Sequence, residues 1–241
     1  MIIPAIVGAR LYYVIFSWDY YKNHLNELLN IRQGGIAIYG AVIGGFLTLL
    51  VFCKIRKQNF FLISDIAVLG LLVGQIMGRW GNFTNREVFG HYTDSLFAMR
   101  LPIEAVRSAD ITSDIAAHIT DGINYIQVHP TFLYESVLNL LLLIVLLLYT
   151  KHKKFNGEIA LGYLGGYGII RFFVEGIRTD QLKIGSTGIA VSQLLGMVLF
   201  IAAILTDVIV RIYRRKKGLQ ELPQKAAVVQ NKVENDEKQD E

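Results

Sequence analysis

The chain carries long apolar runs of a kind that a water-soluble domain of its size rarely has. Six such stretches lie at 2–18, 34–53, 60–80, 132–149, 158–174 and 187–213. A helix needs about 20 apolar residues to cross the hydrocarbon core of a bilayer. With 53% hydrophobic residues and a mean hydropathy of +0.40, the sequence predicts an all-α, polytopic integral membrane helix bundle of about six transmembrane helices.

Between and after these stretches the sequence is polar. Residues 1–213 are predicted to form one transmembrane domain, with a long extracytoplasmic loop or small head region at 82–128. Within that loop, 97–102 is expected to be a short strand or a re-entrant piece. The segment 214–241 is rich in Gln, Lys, Glu and Asp, and this composition predicts a disordered tail. The single cysteine, Cys53, excludes an internal disulfide and a cysteine zinc cluster.

Positive charge predicts how the chain is oriented in the membrane. The segments 54–57, 151–154 and 211–217 are dense in Lys and Arg, and such loops stay on the cytoplasmic side. Alternating spans then place 19–33, 82–128 and 176–187 outside and the C-terminus inside. The net charge is +4, and the Lys and Arg residues lie mostly at the ends of apolar runs. We therefore expect no nucleic-acid partner.

Glycines and one acidic pair suggest how helices pack and begin. Small residues four apart, as at 40 and 44 or at 70, 74 and 78, predict close backbone packing of helices. The glycine pairs at 34–35 and 165–168 are expected to loosen helices beside a cavity. Ser64 and Asp65 are expected to cap the third stretch.

A polar cluster follows the third stretch at the predicted outer surface. Arg79 ends this stretch, and Asn82, Asn85 and Glu87 follow it. An arginine at a helix centre in a bilayer costs about 2.5–3.5 kcal/mol, and less near a helix end. The cluster therefore predicts a polar site at the membrane surface. The alternative is that Arg79 only anchors the helix end.

A second cluster ends the fifth stretch. Tyr167, Arg171, Glu175 and Arg178 follow at i, i+4, i+8 and i+11, which places them on one helical face. Glu175 can pair with one arginine, which leaves the other without an acidic partner. With Arg79, two unmatched arginines at one leaflet predict an anion site for a phospholipid headgroup, since guanidinium binds phosphate bidentately. The alternative is that these arginines close internal salt bridges.

Two further polar positions join these candidates. His129 and Glu135 lie where the chain re-enters the membrane after Pro130, and they are expected to hydrogen-bond the arginine clusters. Tyr39 is a lone phenol inside the second stretch. It is expected to offer a hydrogen bond or a proton to a headgroup oxygen, or else to serve as interfacial packing.

Together these motifs resemble the prolipoprotein diacylglyceryl transferase family. The central match is the pattern Gly78-Arg79-x-Gly81-Asn82-Phe83-x-Asn85-x-Glu87-x-x-Gly90. Four further motifs accompany it: Gly8-Ala9-Arg10-Leu11-Tyr12-Tyr13, Gly34-Gly35-Ile36-Ala37-Ile38-Tyr39-Gly40, His129-Pro130-x-x-Leu133-Tyr134-Glu135 and Tyr167-Gly168-x-x-Arg171-x-x-x-Glu175-x-x-Arg178. The resemblance runs from about residue 6 to the last apolar stretch.

The resemblance implies an activity and its partners. The family moves the diacylglyceryl group of phosphatidylglycerol onto the lipobox cysteine thiol of a prolipoprotein, forming a thioether and releasing glycerol 1-phosphate. It needs no metal and no cofactor. The implied setting is the bacterial inner or plasma membrane, with a monomeric multi-pass protein whose active site faces the extracytoplasmic leaflet and whose C-terminus is cytoplasmic. Residues 1–213 would then be a diacylglyceryl transferase domain, in contact with membrane lipid and with prolipoprotein signal peptides.

The resemblance also implies roles for individual residues. The arginine matching Arg79 binds the phosphatidylglycerol headgroup, and the equivalents of Arg171, Asn82 and Gly90 are essential. The expected catalytic residues are Arg79, Arg171, Tyr39 and Glu87. The expected substrate-binding residues are Arg79, Asn82, Asn85, Gly90, His129, Glu135, Tyr167, Glu175 and Arg178.

The chain departs from the family pattern at two places. Many members carry histidine, proposed as a base, where this chain has Tyr39, and tyrosine is a poor base because its ordinary pKa is about 10. Either Glu87 or His129 takes the thiol proton instead, or Tyr39 only binds substrate. The family also has a further N-terminal membrane helix before the segment matching 2–18, and this sequence is expected to lack it.

Two other functions compete with the enzyme. A non-catalytic transporter or flippase would bind acidic phospholipid through the same arginines, but the sequence shows no convincing internal repeat. An intramembrane protease is disfavoured because neither G-x-S-x-G nor H-E-x-x-H occurs.

Overall fold

The computed structural model describes residues 2–31, 34–120, 122–185 and 188–219, and its regular structure is mainly helical. Within these residues, four helices are long and apolar enough to cross a membrane: Ile38–Ile55, Phe60–Asn85, Thr131–Tyr149 and Val191–Lys216. The chain is therefore a multi-pass, all-α membrane protein, as the sequence predicts. It divides into two compact units, Met1–Ser64 and Asp65–Glu241.

The first unit contains α1 (Ile2–Phe16), the short α2 (Trp18–Tyr21) and α3 (Ile38–Ile55). A Cβ added at Gly40 would lie 2.2 Å from the Gly8 carbonyl oxygen, and one at Gly44 would lie 2.7 Å from that of Pro4. Helices α1 and α3 thus pack backbone to backbone, which confirms the prediction for these glycines. Helix α1 has 15 residues and is shorter than a full span.

The segment between α2 and α3 is held by one buried arginine. Arg10 of α1 donates hydrogen bonds to the carbonyl oxygens of Glu27, Leu28, Gly34 and Gly35. Gly34 and Gly35 have φ of +92° and +75°, a conformation that glycine adopts without a steric penalty. The expectation that this glycine pair loosens a helix beside a cavity is wrong, because both residues precede α3 and their carbonyls bind Arg10.

Helix α4 (Phe60–Asn85) begins in the first unit and continues into the second. Asn59 caps it, because its Oδ1 accepts hydrogen bonds from the backbone nitrogens of Phe61 and Leu62 at 3.0 and 3.2 Å. The expected cap at Ser64 and Asp65 is therefore wrong. Gly70, Gly74 and Gly78 of α4 have open space where a Cβ would stand, so the predicted packing at these three positions is also wrong.

Residues between α4 and the next long helix form a small head rather than a loop. It contains β1 (Met99–Pro102), the short α5 (Ser113–Ala116) and β2 (Tyr125–Val128), and the two strands pair antiparallel. Its core consists of Phe89, Leu101, Val106, Ile115, Ile126 and Val128. The predicted strand near 97–102 is thus confirmed, and the polar loop expected from residue 82 begins later because α4 runs to Asn85.

Three long helices complete the second unit: α6 (Thr131–Tyr149), α7 (Glu158–Ile177) and α8 (Val191–Lys216). Helix α7 is continuous, and Gly168 packs tightly on α8, since an added Cβ would lie 2.5 Å from the Gly196 carbonyl oxygen. The cavity expected beside 165–168 is therefore a helix–helix contact. Helix α8 extends three residues past the expected domain boundary at 213, and most of the predicted tail lies outside the described residues.

A buried acidic residue links the N-terminal ends of α4 and α7. Asp65 accepts hydrogen bonds from the backbone nitrogens of Gly157 and Ala160, both at 2.9 Å, and pairs with Lys153 at 3.0 Å. Its carboxylate satisfies donors that a helix N-terminus otherwise leaves unpaired. Asp65 therefore caps α7 rather than its own helix.

Candidate functional site

The C-terminal end of α4 carries a connected set of polar side chains. Arg79 Nη1 donates to Asn82 Oδ1 at 3.0 Å. Asn82 and Asn85 in turn donate their amides to one oxygen of Glu87, at 3.2 and 3.1 Å. One hydrogen-bond network thus joins four predicted site residues: Arg79, Asn82, Asn85 and Glu87.

The backbone turns sharply where α4 ends. Arg86 and Val88, on either side of Glu87, have φ of +54° and +62°, and non-glycine residues rarely adopt such values. The backbone nitrogen of Glu87 bonds the carbonyl oxygen of Asn82 at 3.1 Å. Backbone strain of this kind persists only where surrounding contacts impose it, and it is common at functional sites. The turn brings the Glu87 carboxylate back to the two asparagines of α4.

Glu135 of α6 is the centre of the cluster. Its side chain is 1% exposed, with Oε1 lying 3.4 Å from Arg79 Nε and Oε2 accepting a hydrogen bond of 3.1 Å from Arg171 Nη1. The Tyr167 hydroxyl donates to Oε1 at 3.3 Å. Arg79 and Arg171 are therefore brought together, as predicted, but around a carboxylate of the protein itself.

The remaining charges at the end of α7 are also paired. Arg171 Nη2 bonds Glu175, and Arg178 Nη1 lies 3.7 Å from the same Glu175 oxygen. Arg178 also forms two hydrogen bonds with Asp180, of 2.9 and 2.7 Å. Burial raises the pKa of the Asp180 carboxyl, but the bonds from Arg178 outweigh this and hold it below its usual range.

These contacts correct two predictions about the second cluster. The predicted surplus of an arginine without an acidic partner is wrong, because Arg79, Arg171 and Arg178 each lie beside a carboxylate. The alternative of internal salt bridges is what the structure contains. Arg178 also does not extend the helical face, because α7 ends at Ile177 and Arg178 has extended φ and ψ of −71° and 150°.

Gly90 lies where the head meets the ends of α6 and α7. Its nitrogen bonds the carbonyl oxygen of His129 at 3.0 Å, and the next nitrogen, of His91, bonds that of Ile177 at 3.0 Å. Gly90 also forms an isolated antiparallel bridge with Arg178. An added Cβ would lie 2.8 Å from the His129 Cβ and 2.9 Å from the Ile177 carbonyl oxygen. The close approach of three backbone segments explains why this position requires glycine.

His129 contacts a tyrosine instead of the arginines it was expected to meet. Its Nδ1 lies 3.2 Å from the Tyr134 hydroxyl, and within the described ranges no hydrogen bond joins it to Arg79 or Arg171. Burial lowers the pKa of the imidazole, and the nearby charge of His91 lowers it further. His129 is therefore neutral at pH 7 and able to accept a proton.

Tyr39 belongs to the first unit. It lies on the first turn of α3, is about half exposed, and its ring centroid is 6.2 Å from that of Tyr12. Its predicted part in catalysis rests on the sequence alone.

Arg79 keeps donor capacity at a terminal nitrogen that Arg171 lacks. Both terminal nitrogens of Arg171 bond carboxylates. Arg79 makes one hydrogen bond within the part of the chain that the structure describes, through Nη1, and its buried Nε has none. Its side chain is 23% exposed. A guanidinium held in place at one end, with further donors available, is suited to bind an oxyanion.

The sequence did not single out several residues that support the site. Asp180 holds Arg178, and the hydroxyl groups of Thr131 and Thr179 bond the carbonyl oxygens of Val88 and Phe89. Asp180 follows Arg178 by only two positions, so its charge was a usable signal. The threonines gave none, because their partners are backbone atoms from distant parts of the chain.

Comparison with known proteins identifies the family. The family model described as prolipoprotein diacylglyceryl transferase matches residues 1–209. The phosphatidylglycerol–prolipoprotein diacylglyceryl transferase of Finegoldia magna is 42% identical over 205 residues, covering 85% of this chain and 73% of that protein. Proteins of the same name from Lactobacillus acidophilus and Limosilactobacillus reuteri are 46% and 44% identical, over 87% and 89% of this chain and 70% and 73% of their own lengths. This chain belongs to the prolipoprotein diacylglyceryl transferase family.

Proposed function

We propose that this protein transfers the diacylglyceryl group of phosphatidylglycerol to the cysteine thiol of a prolipoprotein lipobox. The observation that carries the proposal is the identity of 42–46% to transferases named for this reaction, along 85–89% of the chain. Apart from Arg10, the arginines, asparagines and glutamates of the family motifs also form one connected cluster in the second unit. Together these support a transferase that acts on a phospholipid.

The reaction displaces a phosphate from carbon. The thiolate sulfur attacks the diacylglyceryl carbon that is bonded to the phosphate oxygen, so that a C–S bond forms as the C–O bond breaks. The bonding pair leaves with the oxygen, giving glycerol 1-phosphate, and the thiol proton passes to a base. No electrons are gained or lost overall, so the transfer requires no redox partner. Negative charge grows on the leaving phosphate, and groups that stabilise this charge lower the barrier.

Arg79 is the residue best suited to hold the phosphate. Its unengaged donors and partial exposure support this role, and Asn82 fixes the direction of the guanidinium. A phosphate oxygen bound at Arg79 would lie close to Glu135, whose charge Arg171 and the Tyr167 hydroxyl partly offset. Arg171 therefore acts mainly by balancing Glu135 and by supplying positive potential to the leaving group.

The residues around this pair hold it in position. Glu175 and Arg178 fix Arg171 from the far side, and Gly90 holds the head against the ends of α6 and α7. Asn85 helps to hold Glu87. Preorganised partners of this kind matter because a cluster that stays in place need not rearrange when charge develops.

Glu87 and His129 are the candidates for the base that takes the thiol proton. Glu87 already accepts two amide hydrogen bonds on one oxygen, which fix the direction of its carboxylate. His129 is neutral because burial lowers its pKa. Tyr39 remains a candidate for substrate binding. Comparing the pH dependence of transfer in Glu87→Gln and His129→Gln identifies the base, since only the loss of the base removes the acidic limb of the profile.

We place the protein in the bacterial plasma membrane. The Arg79–Glu135–Arg171 cluster would face the extracytoplasmic leaflet, and the Lys- and Arg-rich segments and the C-terminus would face the cytoplasm. Asp65 and Arg79 lie 14 positions apart on α4, or about 21 Å along a helix, which suits two polar ends on either side of an apolar zone. The domain would extend to the end of α8 at Lys216 and would act as a monomer without metal or cofactor.

The test is direct transfer by the purified chain. The protein in detergent is given phosphatidylglycerol labelled in its acyl chains and a lipobox peptide, and labelled peptide is measured by mass spectrometry. We expect a mass gain of one diacylglyceryl group on the cysteine and release of glycerol 1-phosphate. A peptide with serine at that position should stay unlabelled. Binding of phosphatidylglycerol without any transfer would reject the enzyme and favour a lipid transporter or flippase.

A further inference from the structure

A second polar layer lies one helical turn further into the bundle than the charged cluster. The charged cluster joins Arg79, Glu135 and Tyr167, one each from α4, α6 and α7. Four residues inward on each of these helices are Gln75, Asn139 and Tyr163. Because residues four apart share a helical face, the second set repeats the arrangement of the first with uncharged groups.

The contacts confirm that two members of this layer meet. Gln75 Nε2 donates to the Tyr163 hydroxyl at 2.9 Å. The rings of Tyr163 and Tyr167 stack with centroids 5.6 Å apart, which links the two layers along α7. Beyond them lies the apolar core that contains Leu72 and Leu143. The layer is thus the last polar group of side chains before the hydrophobic interior.

Hydrogen bonding in this layer is incomplete. Asn139 is 0% exposed, and neither its Nδ2 nor its Oδ1 has a partner among the described residues. Gln75 Oε1 is buried and lacks a partner in the same way. Unpaired buried amides are costly, and more so where lipid replaces water. Leucine would fill the position of Asn139 without that cost, so the amide indicates a bound group that completes its hydrogen bonds.

The unpaired atoms define the chemistry of that group. Asn139 has an unpaired donor group at Nδ2 and an unpaired acceptor at Oδ1, so a single group that pairs with both must accept and donate. An ester carbonyl only accepts, and an ammonium only donates. A hydroxyl group does both, and a second proton, on a neighbouring hydroxyl or on the same water molecule, can be donated to Gln75 Oε1.

We infer that Gln75 and Asn139 bind a hydroxyl group next to the phosphate site. This inference rests on the proposed function, and the hydroxyl comes from one of two sources: the glycerol headgroup of phosphatidylglycerol or a water molecule. The glycerol carries two hydroxyls a few bonds from its phosphate, a reach of the same order as one helical turn of about 5.4 Å. With the phosphate at Arg79, a headgroup turned inward along α4 brings a hydroxyl to this layer. Gln75 and Asn139 are then residues that select the lipid headgroup.

The experiment compares phosphatidylglycerol with phosphatidylpropanol, which has the same carbon skeleton in its headgroup but no hydroxyls. Transfer to a lipobox peptide is measured with both donors for the full chain and for Asn139→Leu and Gln75→Met. We expect the unaltered chain to prefer phosphatidylglycerol in kcat/KM by about tenfold or more. Each variant should reduce this preference at least fivefold, while its kcat/KM with phosphatidylpropanol changes less than twofold. The control Ser136→Ala removes a buried hydroxyl that already has partners in Trp80 and Ile76, and it should keep the preference.

A second readout does not depend on turnover. We expect phosphatidylglycerol to raise the melting temperature of the unaltered chain more than phosphatidylpropanol does, and Asn139→Leu to abolish the difference. Suppose that the two lipids raise the melting temperature of the unaltered chain equally, while the Asn139→Leu variant melts at a lower temperature than the unaltered chain in lipid-free detergent. In that case the hydroxyl belongs to a structural water. If the variant keeps its headgroup preference and its melting temperature does not fall, the inference is overturned. Absence of transfer with either lipid would reject the proposed function, and the melting experiment would still decide this inference.

Discussion

Arg171 Nη1 donates a hydrogen bond of 3.1 Å to Glu135 Oε2, although the two residues lie 36 positions apart in the chain. Glu135 is almost fully buried and also faces Arg79 and Tyr167. One carboxylate thus joins helices α4, α6 and α7. Removing one partner of a buried ion pair is costly because it leaves the other charge uncompensated.

Glu135→Gln should therefore weaken both stability and activity. The amide keeps the shape of the side chain but leaves two guanidinium groups with one negative charge fewer. We expect a loss of about 3 kcal/mol in stability and at least a tenfold fall in transfer, measured by thermal unfolding in detergent and by the peptide assay. Glu104→Gln, at an exposed position in the head, is the matched control and should change neither. Unchanged melting of Glu135→Gln would contradict the bridging role.

Lysine substitutions should separate the roles of the two arginines. Arg79→Lys retains the charge but removes the donors that we assign to the phosphate, so KM for phosphatidylglycerol should rise at least tenfold with little change in melting temperature. Arg171→Lys loses one of two carboxylate contacts and should mainly lower the melting temperature. Arg100→Lys on β1, an exposed arginine that bonds Gln127, is the control. The same KM effect in both site variants would show that the roles are not distinct.

Gly90→Ala should destabilise the junction between the head and the helices. The new Cβ would approach three atoms of His129 and Ile177 at 2.8–2.9 Å, closer than real contacts allow. Overpacking of this kind costs about 1–3 kcal/mol, and thermal unfolding measures it. Gly74→Ala in α4, where a Cβ would meet open space, should be neutral or stabilising by up to about 1 kcal/mol. Equal effects at the two positions would rule out the close approach as the reason for Gly90.

Asp65→Asn should loosen the packing between the N-terminal ends of α4 and α7. The carboxylate accepts two backbone hydrogen bonds and pairs with Lys153. The amide has one acceptor oxygen instead of two and no negative charge to pair with Lys153. We expect a loss of about 3 kcal/mol in unfolding free energy without a change in KM, because the phosphate site lies at the other end of α4. Asp94→Asn, at an exposed position in the head, is the control. A large rise in KM for Asp65→Asn would mean that the two ends of α4 are coupled.

Acid should destabilise the protein through His129. Burial and His91 lower the pKa of its imidazole, whereas in the unfolded chain the pKa returns to about 6.5. Below that value the unfolded state binds more protons than the folded one, so stability falls as pH drops from about 6.5 to the lower pKa of the folded form. The melting temperature between pH 8 and 5 should fall less in His129→Gln than in the unaltered chain. Parallel pH profiles for the two proteins would contradict this.

The membrane helices were predictable because long apolar runs leave few alternatives. The sequence predicted stretches at 60–80 and 132–149, and α4 and α6 cover both. The motifs also singled out charged residues at the ends of α4 and α7, and the structure brings these residues together. Glycine spacing was less informative, since Gly40 packs closely and Gly74 does not, although both repeat every four residues.

The partners in each ion pair were harder to predict than the helix ends at which the charged residues lie. Local spacing suggested Glu175 as the partner of Arg171, and the structure includes that pair. Glu135 was expected to meet the arginines, but spacing along one helix cannot show that a carboxylate on α6 lies between Arg79 and Arg171. Asp65 was assigned to the wrong helix for the same reason, because its partners, Gly157 and Ala160, are about 90 positions away.

The contacts of Arg10 bear on how the protein is made. This arginine lies on α1 and is bonded to four carbonyl oxygens from the segment that leads into α3. During synthesis α1 emerges before this segment, so its guanidinium enters the bilayer region before any of these acceptors exists. The cost of burying that charge is therefore offset only after the ribosome has added about 25 further residues, which couples the placement of α1 to that of α3 during biogenesis.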